Sequence, residues 1–423
     1  MRPIQTSGSC STLVDASENV DSSKLLVFPP LTNLECRRVG SDDGSSSTLE
    51  QPKEFVERTH LYLPSQEEDD DLFYDDYSDG DEECRDSPWM QKSLSSGGTS
   101  HQRQRLELPA SDGGEDIPLD KYLRAIPSVI ERAEELQAQP VRVLSDKTTQ
   151  GSRILNICQG EIGHATSKQT DIIVSDRATT CHILAVRSTS GGDDAAGSNE
   201  PLVSLCHIDK AEYEGCIRNM IQAHKDHHGE LSLDAIDMDI HLVGGCDDGE
   251  GTSLAITEHL LHLLGQISVE EKDDITMTLK TCAVSSLNDT GIGAPIGRGL
   301  AIVTATGAVY LASVDDTVAG PAPTLRAARL WSTAPRTKLS VVHTQFSHNN
   351  AISIEPFAFS PFKTLDAILS LPDHIMLQYT STSPDVEEDD FCHRVRTTLR
   401  YIRTHRPEHI FGPDVNQPVQ YSY

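Results

Sequence analysis

Apolar residues are concentrated after Pro118, where their spacing alternates between helical and strand periods. In residues 119–136 they recur at helical spacing, and Pro127 splits the pattern, which predicts one or two amphipathic helices. Strict alternation in residues 236–242 and 275–279 predicts two strands with one solvated face. Short apolar runs predict further strands at residues 153–158, 170–174, 181–186 and 202–206.

The remaining pattern predicts helices at residues 210–224, 253–264, 324–331, 361–369 and 389–403. Residues 301–304 and 309–313 should form a hairpin, and Ser383-Pro384 is suited as the cap and first-turn pair of the last helix. No repeated βαβ rhythm, glycine-rich phosphate loop or internal repeat is visible. The expected fold class is therefore α+β, with strands stacked in two layers and helices on one side.

The first 116 residues differ in composition from the rest of the chain. They are rich in Ser, Gly, Asp and Glu, and residues 67–83 are mostly carboxylates. Self-repulsion and a lack of apolar area predict a disordered acidic tail at residues 1–116, followed by one folded domain at 117–423. Phe73, Tyr74 and Tyr77 could dock a basic partner, which the sequence does not identify, although acidic tails more often only solubilise a protein.

The formal net charge of −30 argues against partners that are held through phosphate groups. Nucleic acid and anionic lipid both require clusters of Lys and Arg, which the sequence lacks. No apolar stretch approaches the roughly 18 residues that cross a bilayer. The ten cysteines form no CxxC pair, which is typical of reduced thiols. We expect a soluble cytoplasmic protein, with the nucleus as a second compartment.

Cys181 is the strongest candidate for chemistry. It lies between the polar residues 175–180 and the apolar residues 183–186, where solvent can reach the thiol while a strand holds it rigid. A cysteine with an ordinary pKa of about 8.5 needs a basic neighbour to be nucleophilic at neutral pH. The strand at residues 202–206 should pair beside that of Cys181, and His207 follows it, which would bring thiol and imidazole together.

Two other interpretations of these residues stand beside this one. Cysteine is among the most buried residue types, and buried thiols are usually inert. Cys181-His182 and Cys206-His207 could also form a zinc site, but adjacent residues of a strand point to opposite faces, and paired zinc ligands normally have two or more residues between them. We therefore expect no metal and no cofactor.

The sequence SDRATTCH at residues 175–182 resembles the active-site segment of eukaryotic protein N-terminal asparagine amidohydrolases, in which an Ala-Thr-Thr-Cys stretch carries the nucleophile. The resemblance extends in order over roughly residues 117–423, which is the length of a domain. Its other segments are Arg132-Ala133, Glu161 with Ala165-Thr166-Ser167, His207-x-Asp209, His241-Leu242-Val243-Gly244-Gly245, Leu287-Asn288-Asp289, Leu325-Arg326-Ala327-Ala328-Arg329 and Ser381-Thr382-Ser383-Pro384.

The resemblance implies an α-β-β sandwich of the type found in toxin-deamidase-like cysteine hydrolases, with a Cys-His-Ser site. It implies hydrolysis of the side-chain amide of an N-terminal asparagine, in proteins or peptides, to aspartate and ammonia, feeding N-degron protein degradation. Cys181 matches the nucleophile and His207 the histidine. Ser175, Ser381 and Ser383 are all candidates for the serine, with a helix cap as the structural alternative for Ser383 and turns for the other two.

The implied chemistry begins with attack of the Cys181 thiolate on the amide carbon, while backbone N–H groups near residues 180–182 hold the oxyanion. His207 would donate a proton to the leaving ammonia and then deprotonate the water that hydrolyses the thioester. Selecting the first residue of a chain requires a carboxylate that binds the free α-ammonium group. Glu161 and Asp209 are the candidates, and either could instead be a surface acid.

Two departures from the family are the acidic extension and the insert at residues 188–200, which we expect to be a hairpin loop. Thiol peptidases and transglutaminases share the order of cysteine before histidine and are the competing enzyme class. The non-enzymatic alternative is an interaction protein with an acidic tail, in which Cys181 is a relic.

Overall fold

The computed structural model describes residues 61–64, 105, 106, 108, 118–190, 200–229, 235–347 and 351–422, all within one compact unit, Ser46–Tyr423. The acidic residues 67–83 and the aromatic side chains among them lie outside the described residues. The tip of the loop expected at residues 188–200 also lies outside them. Among the described residues, no helix has both the length and the apolar character to cross a membrane.

The strands alternate irregularly with helices along the chain. In chain order the strands are β1 (Leu61–Tyr62), β2 (Arg142–Leu144), β3 (Ile154–Asn156), β4 (Glu161–Thr166), β5 (Ile172–Ser175), β6 (His182–Ser190), β7 (Leu202–Ile208), β8 (Ile236–Gly244), β9 (Ile275–Val284), β10 (Leu300–Val303), β11 (Val309–Val314), β12 (Ser340–His343), β13 (Ala351–Ile354) and β14 (Val419–Ser422). The helices are α1 (Leu119–Leu123), α2 (Pro127–Ala138), α3 (Glu214–His228), α4 (Thr252–Glu270), α5 (Pro323–Ala328), α6 (Leu365–Ser370), α7 (Asp373–Thr380), α8 (Phe391–Thr404) and α9 (Pro407–Phe411).

A seven-stranded mixed sheet forms the centre of the fold, with the strand order β1-β9-β8-β6-β7-β4-β12. Strand β6 is antiparallel to both β7 and β8, while β8 and β9 are parallel. In the register of β6 and β7, Ile183 lies opposite His207 and His182 lies opposite Ile208. Because successive side chains alternate between faces, Ile183 and His207 share one face and His182 lies on the other.

Helices cover the face of this sheet that carries His182. Buried side chains of α1, α3 and α4 join one hydrophobic cluster with Leu184 of β6 and Cys206 of β7. Helix α4 contributes most strongly, with Leu260, Leu261 and Leu264 almost fully buried. Burial of such leucine side chains stabilises the fold by about 1.5–3 kcal/mol each.

A second, five-stranded sheet with the order β2-β11-β10-β5-β3 covers the opposite face. Its side chains Ile173 and Leu300 join Ile183 and Leu205 of the first sheet in the cluster between the two sheets. The order of layers is helices, sheet, sheet, and the α+β class predicted from the sequence is confirmed. The placement of all helices on one side is wrong, because Leu325 of α5 and Leu399 of α8 contribute to the cluster between the sheets.

Most elements predicted from hydrophobic spacing are confirmed, including the split at Pro127 and the hairpin of β10 and β11. The cap predicted at Ser383 is wrong. A 3-10 turn occupies Pro384–Val386, and α8 begins only at Phe391. The Ser383 hydroxyl instead donates to the Thr179 hydroxyl at 2.7 Å, so a contact between distant parts of the chain uses it.

Two short pieces within residues 1–116 belong to the folded part of the described chain. Strand β1 pairs in parallel with β9, and Leu61 and Leu63 are 0% and 1% exposed. Leu106 donates its N–H to the Leu61 carbonyl at 2.8 Å and joins the same hydrophobic cluster. The core therefore includes residues that precede the boundary expected at residue 117.

Candidate active site

The loop at residues 176–181 carries Cys181 from the second sheet to the first, because β5 ends at Ser175 and β6 begins at His182. Arg177 has a φ of +61°, a left-handed conformation that is uncommon for a residue with a side chain. Ala178 follows it, fully buried, and donates its N–H to the Arg298 carbonyl at 2.8 Å. The sharp turn thus directs the two threonines and Cys181 into the protein.

Contacts from both sides fix this loop. On one side, Thr179 accepts a hydrogen bond from Ser383, and the hydroxyl groups of Thr180 and Thr382 lie 2.9 Å apart. On the other side, the N–H of Gly245 donates to the Cys181 carbonyl at 2.9 Å.

The residue before Gly245 is a glycine for a steric reason. Gly244 has a φ of +134°, and a Cβ atom at this position would lie 2.4 Å from the Cys181 carbonyl oxygen. A side chain here would therefore strain the backbone and collide with Cys181.

Cys181 and His207 lie on the same face of the first sheet. Continuing the register of β6 and β7 by one residue places Cys181 opposite Asp209, and Ile183 is opposite His207. Cys181 and His207 are therefore diagonal neighbours on one face of the sheet. Both are buried, with Cys181 9% and His207 2% exposed. Their side chains face the cluster between the two sheets, as the predicted pairing of their strands requires.

The Ser175 hydroxyl links the Ile157 carbonyl and the His207 ring through hydrogen bonds. It donates to the Ile157 carbonyl at 2.6 Å and lies 2.8 Å from His207 Nδ1. A hydroxyl has one proton, so Nδ1 carries the hydrogen of the second bond and Nε2 is left as the acceptor of the neutral ring. Among the described residues, His207 Nε2 is buried and has no hydrogen-bond partner.

Burial keeps both groups neutral in the resting site. It raises the pKa of the Cys181 thiol well above its usual value, and the charges of Asp209 and Glu387 act in the same direction against the opposing effect of Arg336. Burial lowers the pKa of His207 to about 4, although Asp209 and Glu161 partly oppose the change. Both the Cys181 thiol and the His207 imidazole are therefore neutral in the folded protein.

Glu161 already has a cationic partner. Its two oxygens accept from Nε and Nη2 of Arg326 at 3.0 and 2.5 Å, and Oε2 also accepts the N–H of Cys158 at 2.9 Å. The side chains of Arg326 and Glu161 are 0% and 2% exposed. This geometry is that of a fully buried ion pair, and both oxygens of Glu161 accept hydrogen bonds.

Asp209 is held in a similar way. Oδ2 pairs with Arg336 at 2.6 Å and accepts from Gln159 at 3.0 Å, while Oδ1 accepts from the Tyr213 hydroxyl at 2.9 Å. Burial alone would raise the pKa of Asp209, but the Arg336 charge and these hydrogen bonds outweigh it and hold the pKa below its usual value. Asp209 is thus an ionised group with three partners.

The three serines expected from the sequence have different surroundings. Ser175 bonds to His207, Ser383 bonds to Thr179, and Ser381 donates to Glu387. Spacing could not separate them, because the contact between β5 and β7 that joins Ser175 to His207 depends on the stacking of two sheets. Arg336 and Glu387 were missed entirely, since neither lies in a segment that the sequence marks as chemical.

In each Cys-His pair, the two side chains point to opposite faces of the first sheet. Cys206 belongs to the cluster under the helices and Cys181 to the cluster between the sheets. His182 Nε2 lies 2.7 Å from the Thr257 hydroxyl of α4. Within the described part of the chain, no group of three or more His, Cys, Asp and Glu side chains could hold a metal ion.

Comparison with known proteins assigns the chain to a family. The family model described as protein N-terminal asparagine amidohydrolase matches residues 144–423. The human protein of that name is 31% identical over 313 residues, which are 71% of this chain and 87% of the human protein. The Arabidopsis thaliana protein of the same name is 24% identical over 274 residues, covering 59% and 73% of the two chains. The chain belongs to the protein N-terminal asparagine amidohydrolase family.

Proposed function

We propose that this chain hydrolyses the side-chain amide of an N-terminal asparagine, in a protein or peptide, with Cys181 as nucleophile, His207 as general base and acid, and Ser175 as the residue that orients His207. One observation carries the assignment of roles. Ser175 holds His207 by Nδ1, which leaves the buried Nε2 as a free acceptor on the face of the sheet that also carries Cys181. Family membership supports the substrate.

The first half of the reaction transfers the acyl group to sulfur. His207 Nε2 takes the thiol proton as Cys181 attacks the amide carbon, and the amide oxygen becomes an oxyanion. Backbone N–H groups near residues 180–182, which are next to the sulfur in the sequence, donate hydrogen bonds that stabilise that oxyanion. The imidazolium returns its proton to the amide nitrogen, which leaves as ammonia, and a thioester remains.

The second half releases the product. His207 Nε2 deprotonates a water molecule, which attacks the thioester carbon and displaces the Cys181 sulfur. The sulfur takes back the proton from the imidazolium, so thiol and neutral imidazole are restored. The net change is asparagine plus water to aspartate plus ammonia, and no cofactor is consumed.

The wider setting is part of the same proposal. Layers of helices, sheet and sheet support kinship with the toxin-deamidase-like cysteine hydrolases. Conversion of an N-terminal asparagine to aspartate would feed N-degron degradation in the cytoplasm, with the nucleus as a second compartment. We assign no nucleic acid and no membrane as partners, because a net charge of −30 repels both.

The test is mass spectrometry of peptides that begin with Asn, Gln or acetylated Asn. Wild-type protein should add about one mass unit to the Asn peptide alone, because an amide becomes an acid. Both Cys181→Ala and His207→Ala should abolish that change. Cleavage of a peptide bond would instead support a thiol peptidase, and equal rates on free and acetylated Asn would contradict specificity for the N-terminus.

Cys206→Ala is the matched control for the cysteine. Cys206 is also fully buried, but its thiol faces the helices and donates to the Leu184 carbonyl at 3.6 Å. This variant should retain activity and should still lose it when iodoacetamide alkylates Cys181. Loss of activity in both cysteine variants, with both folded, would remove the argument that Cys181 acts as the nucleophile.

A further inference from the structure

Glu387 is a half-buried acid tied to the loop that carries Cys181. The Ser381 hydroxyl donates to Glu387 and also accepts the N–H of Ser383 at 2.9 Å. Ser383 in turn donates to Thr179, two residues before Cys181. A short chain of hydrogen bonds therefore fixes the Glu387 carboxylate relative to the nucleophile.

Three acids lie around the site, and their partners differ. Arg326 neutralises Glu161, and Arg336 neutralises Asp209. The ion pairs of the described residues do not include Glu387. Burial raises the pKa of Glu387, while the Ser381 hydrogen bond and the charges of Arg394 and Arg298 act in the opposite direction. Arg394 is itself paired with Glu388 and Asp390.

The substrate of the proposed reaction carries a cation, its α-ammonium group, close to the amide that Cys181 attacks. In an N-terminal asparagine, three bonds separate the α-nitrogen from the side-chain amide carbon, so the two atoms lie at most about 4 Å apart. A carboxylate that binds the ammonium at about 2.7–2.9 Å must therefore lie within about 7 Å of the carbon that Cys181 attacks. The hydrogen bonds from Glu387 through Ser381 and Ser383 end at Thr179, two residues before Cys181, and place the carboxylate beside the loop that carries the nucleophile.

We propose that Glu387 binds the α-ammonium group of the substrate and thereby restricts the reaction to the first residue of a chain. The inference rests on the proposed function and replaces Glu161 and Asp209 as the candidates for this role. An acetylated amine has no charge to offer Glu387. A glutamine substrate has one methylene more, so its amide carbon is displaced from the position that Cys181 attacks when its ammonium is bound.

Binding at Glu387 also favours the chemistry. The Glu387 carboxylate is one of two charges that oppose ionisation of the Cys181 thiol. An ammonium group paired with Glu387 cancels that charge, so the thiol loses its proton more easily when the correct substrate is present. Recognition and activation would thus be coupled through electrostatics.

The decisive variant is Glu387→Gln, which preserves shape and the hydrogen bond from Ser381 but removes the charge. Its kcat/KM on an Asn peptide should fall by about 10- to 100-fold, the usual effect of losing a charge-assisted hydrogen bond. Its rate on a peptide whose terminal amine is replaced by hydrogen should stay near that of wild type. Discrimination between the two peptides should therefore largely disappear.

The pH profile supplies a readout that a merely structural role would not change. A terminal amine loses its proton near pH 8, so wild-type kcat/KM on the Asn peptide should decline above that pH. In Glu387→Gln the decline should be absent, because the amide does not distinguish ammonium from amine. Glu388→Gln is the matched control, since Glu388 is adjacent but paired with Arg177 and Arg394, and it should keep both the discrimination and the decline.

Two outcomes would overturn the inference without touching the proposed function. Glu387→Gln could keep the wild-type preference for the free amine while wild type deamidates Asn peptides normally. Alternatively, Asp209→Asn could abolish the preference while Glu387→Gln retains it, which would assign the ammonium to the acid beside Arg336.

A wild-type protein that releases no ammonia from any Asn peptide would instead contradict the proposed function itself. Thermal unfolding and the alkylation rate of Cys181 confirm that each variant is folded.

Discussion

The Ser175 hydroxyl lies 2.8 Å from His207 Nδ1, across the boundary between the two stacked sheets. Because the same hydroxyl donates to the Ile157 carbonyl, it can only accept from the imidazole. Ser175 thus fixes both the orientation of the ring and its tautomer. In the proposed mechanism, this neutral hydroxyl performs the orienting task that a carboxylate performs in the Ser-His-Asp triad.

Replacing Ser175 with alanine should lower kcat by about 10- to 100-fold, because His207 loses the bond that orients it. KM should change little, since the hydroxyl is not expected to contact the substrate. Steady-state kinetics on an Asn peptide measures both constants. Ser383→Ala is the comparison, because its hydroxyl bonds to Thr179 and not to His207. A larger fall in kcat for Ser383→Ala would contradict the assignment of Ser175.

Gly244→Ala should displace Cys181. The added Cβ would lie 2.4 Å from the Cys181 carbonyl oxygen and 2.9 Å from His182 Cα, and neither backbone atom can move cheaply. We expect a loss of about 1–3 kcal/mol in the free energy of unfolding, with a slower alkylation of Cys181.

Gly249→Ala is the control for that experiment. Gly249 also has a positive φ, +63°, but no atom lies within 4 Å of its ideal Cβ position. Urea denaturation and iodoacetamide kinetics of the two variants separate two effects. One is the cost of placing a side chain on a residue with positive φ, and the other is the collision of the added Cβ at residue 244 with Cys181. Equal effects on the alkylation rate would show that the contact with Cys181 is unimportant.

Stability should fall steeply as the pH drops below about 6.5. Burial lowers the pKa of His164 and His207 to about 4, that of His182 and His241 to about 3, and that of His224 well below its usual value. Unfolding exposes these rings, which then take up protons that the folded state excludes. The unfolded state is therefore favoured as the pH falls.

The size of this effect sets the expected midpoint of acid unfolding. At pH 5.5, each such histidine reduces the free energy of unfolding by about 1.4 kcal/mol. Five of them together match the whole stability of a typical domain, about 5–15 kcal/mol. Thermal unfolding between pH 7.5 and 5 measures the change. A melting temperature that is constant over this range would contradict the burial of neutral imidazoles.

The pairing of the Cys181 and His207 strands could be predicted from the sequence, because apolar runs marked both strands and the intervening residues were compatible with a hairpin. Strand β4 (Glu161–Thr166) could not, since all six of its residues are buried and its sequence, EIGHAT, lacks alternation. The ion-pair partners of the acidic residues could not be predicted from the sequence either. Arg326 is 165 residues from Glu161 in the sequence, and only the fold brings them together.

The Glu161–Arg326 pair yields a last prediction, which concerns stability. Arg326→Met should lower the free energy of unfolding by about 3–5 kcal/mol, because it leaves a buried carboxylate without its cation. Adding Glu161→Gln should recover much of that loss, since the remaining group is neutral. Urea denaturation of the two single variants and the double variant gives the coupling energy between the side chains. If Glu161 were instead the group that reads the substrate amine, Glu161→Gln would abolish the preference for a free N-terminus without affecting stability. The buried, bidentate geometry leads us to expect the opposite, a folded double variant that still distinguishes free from acetylated asparagine.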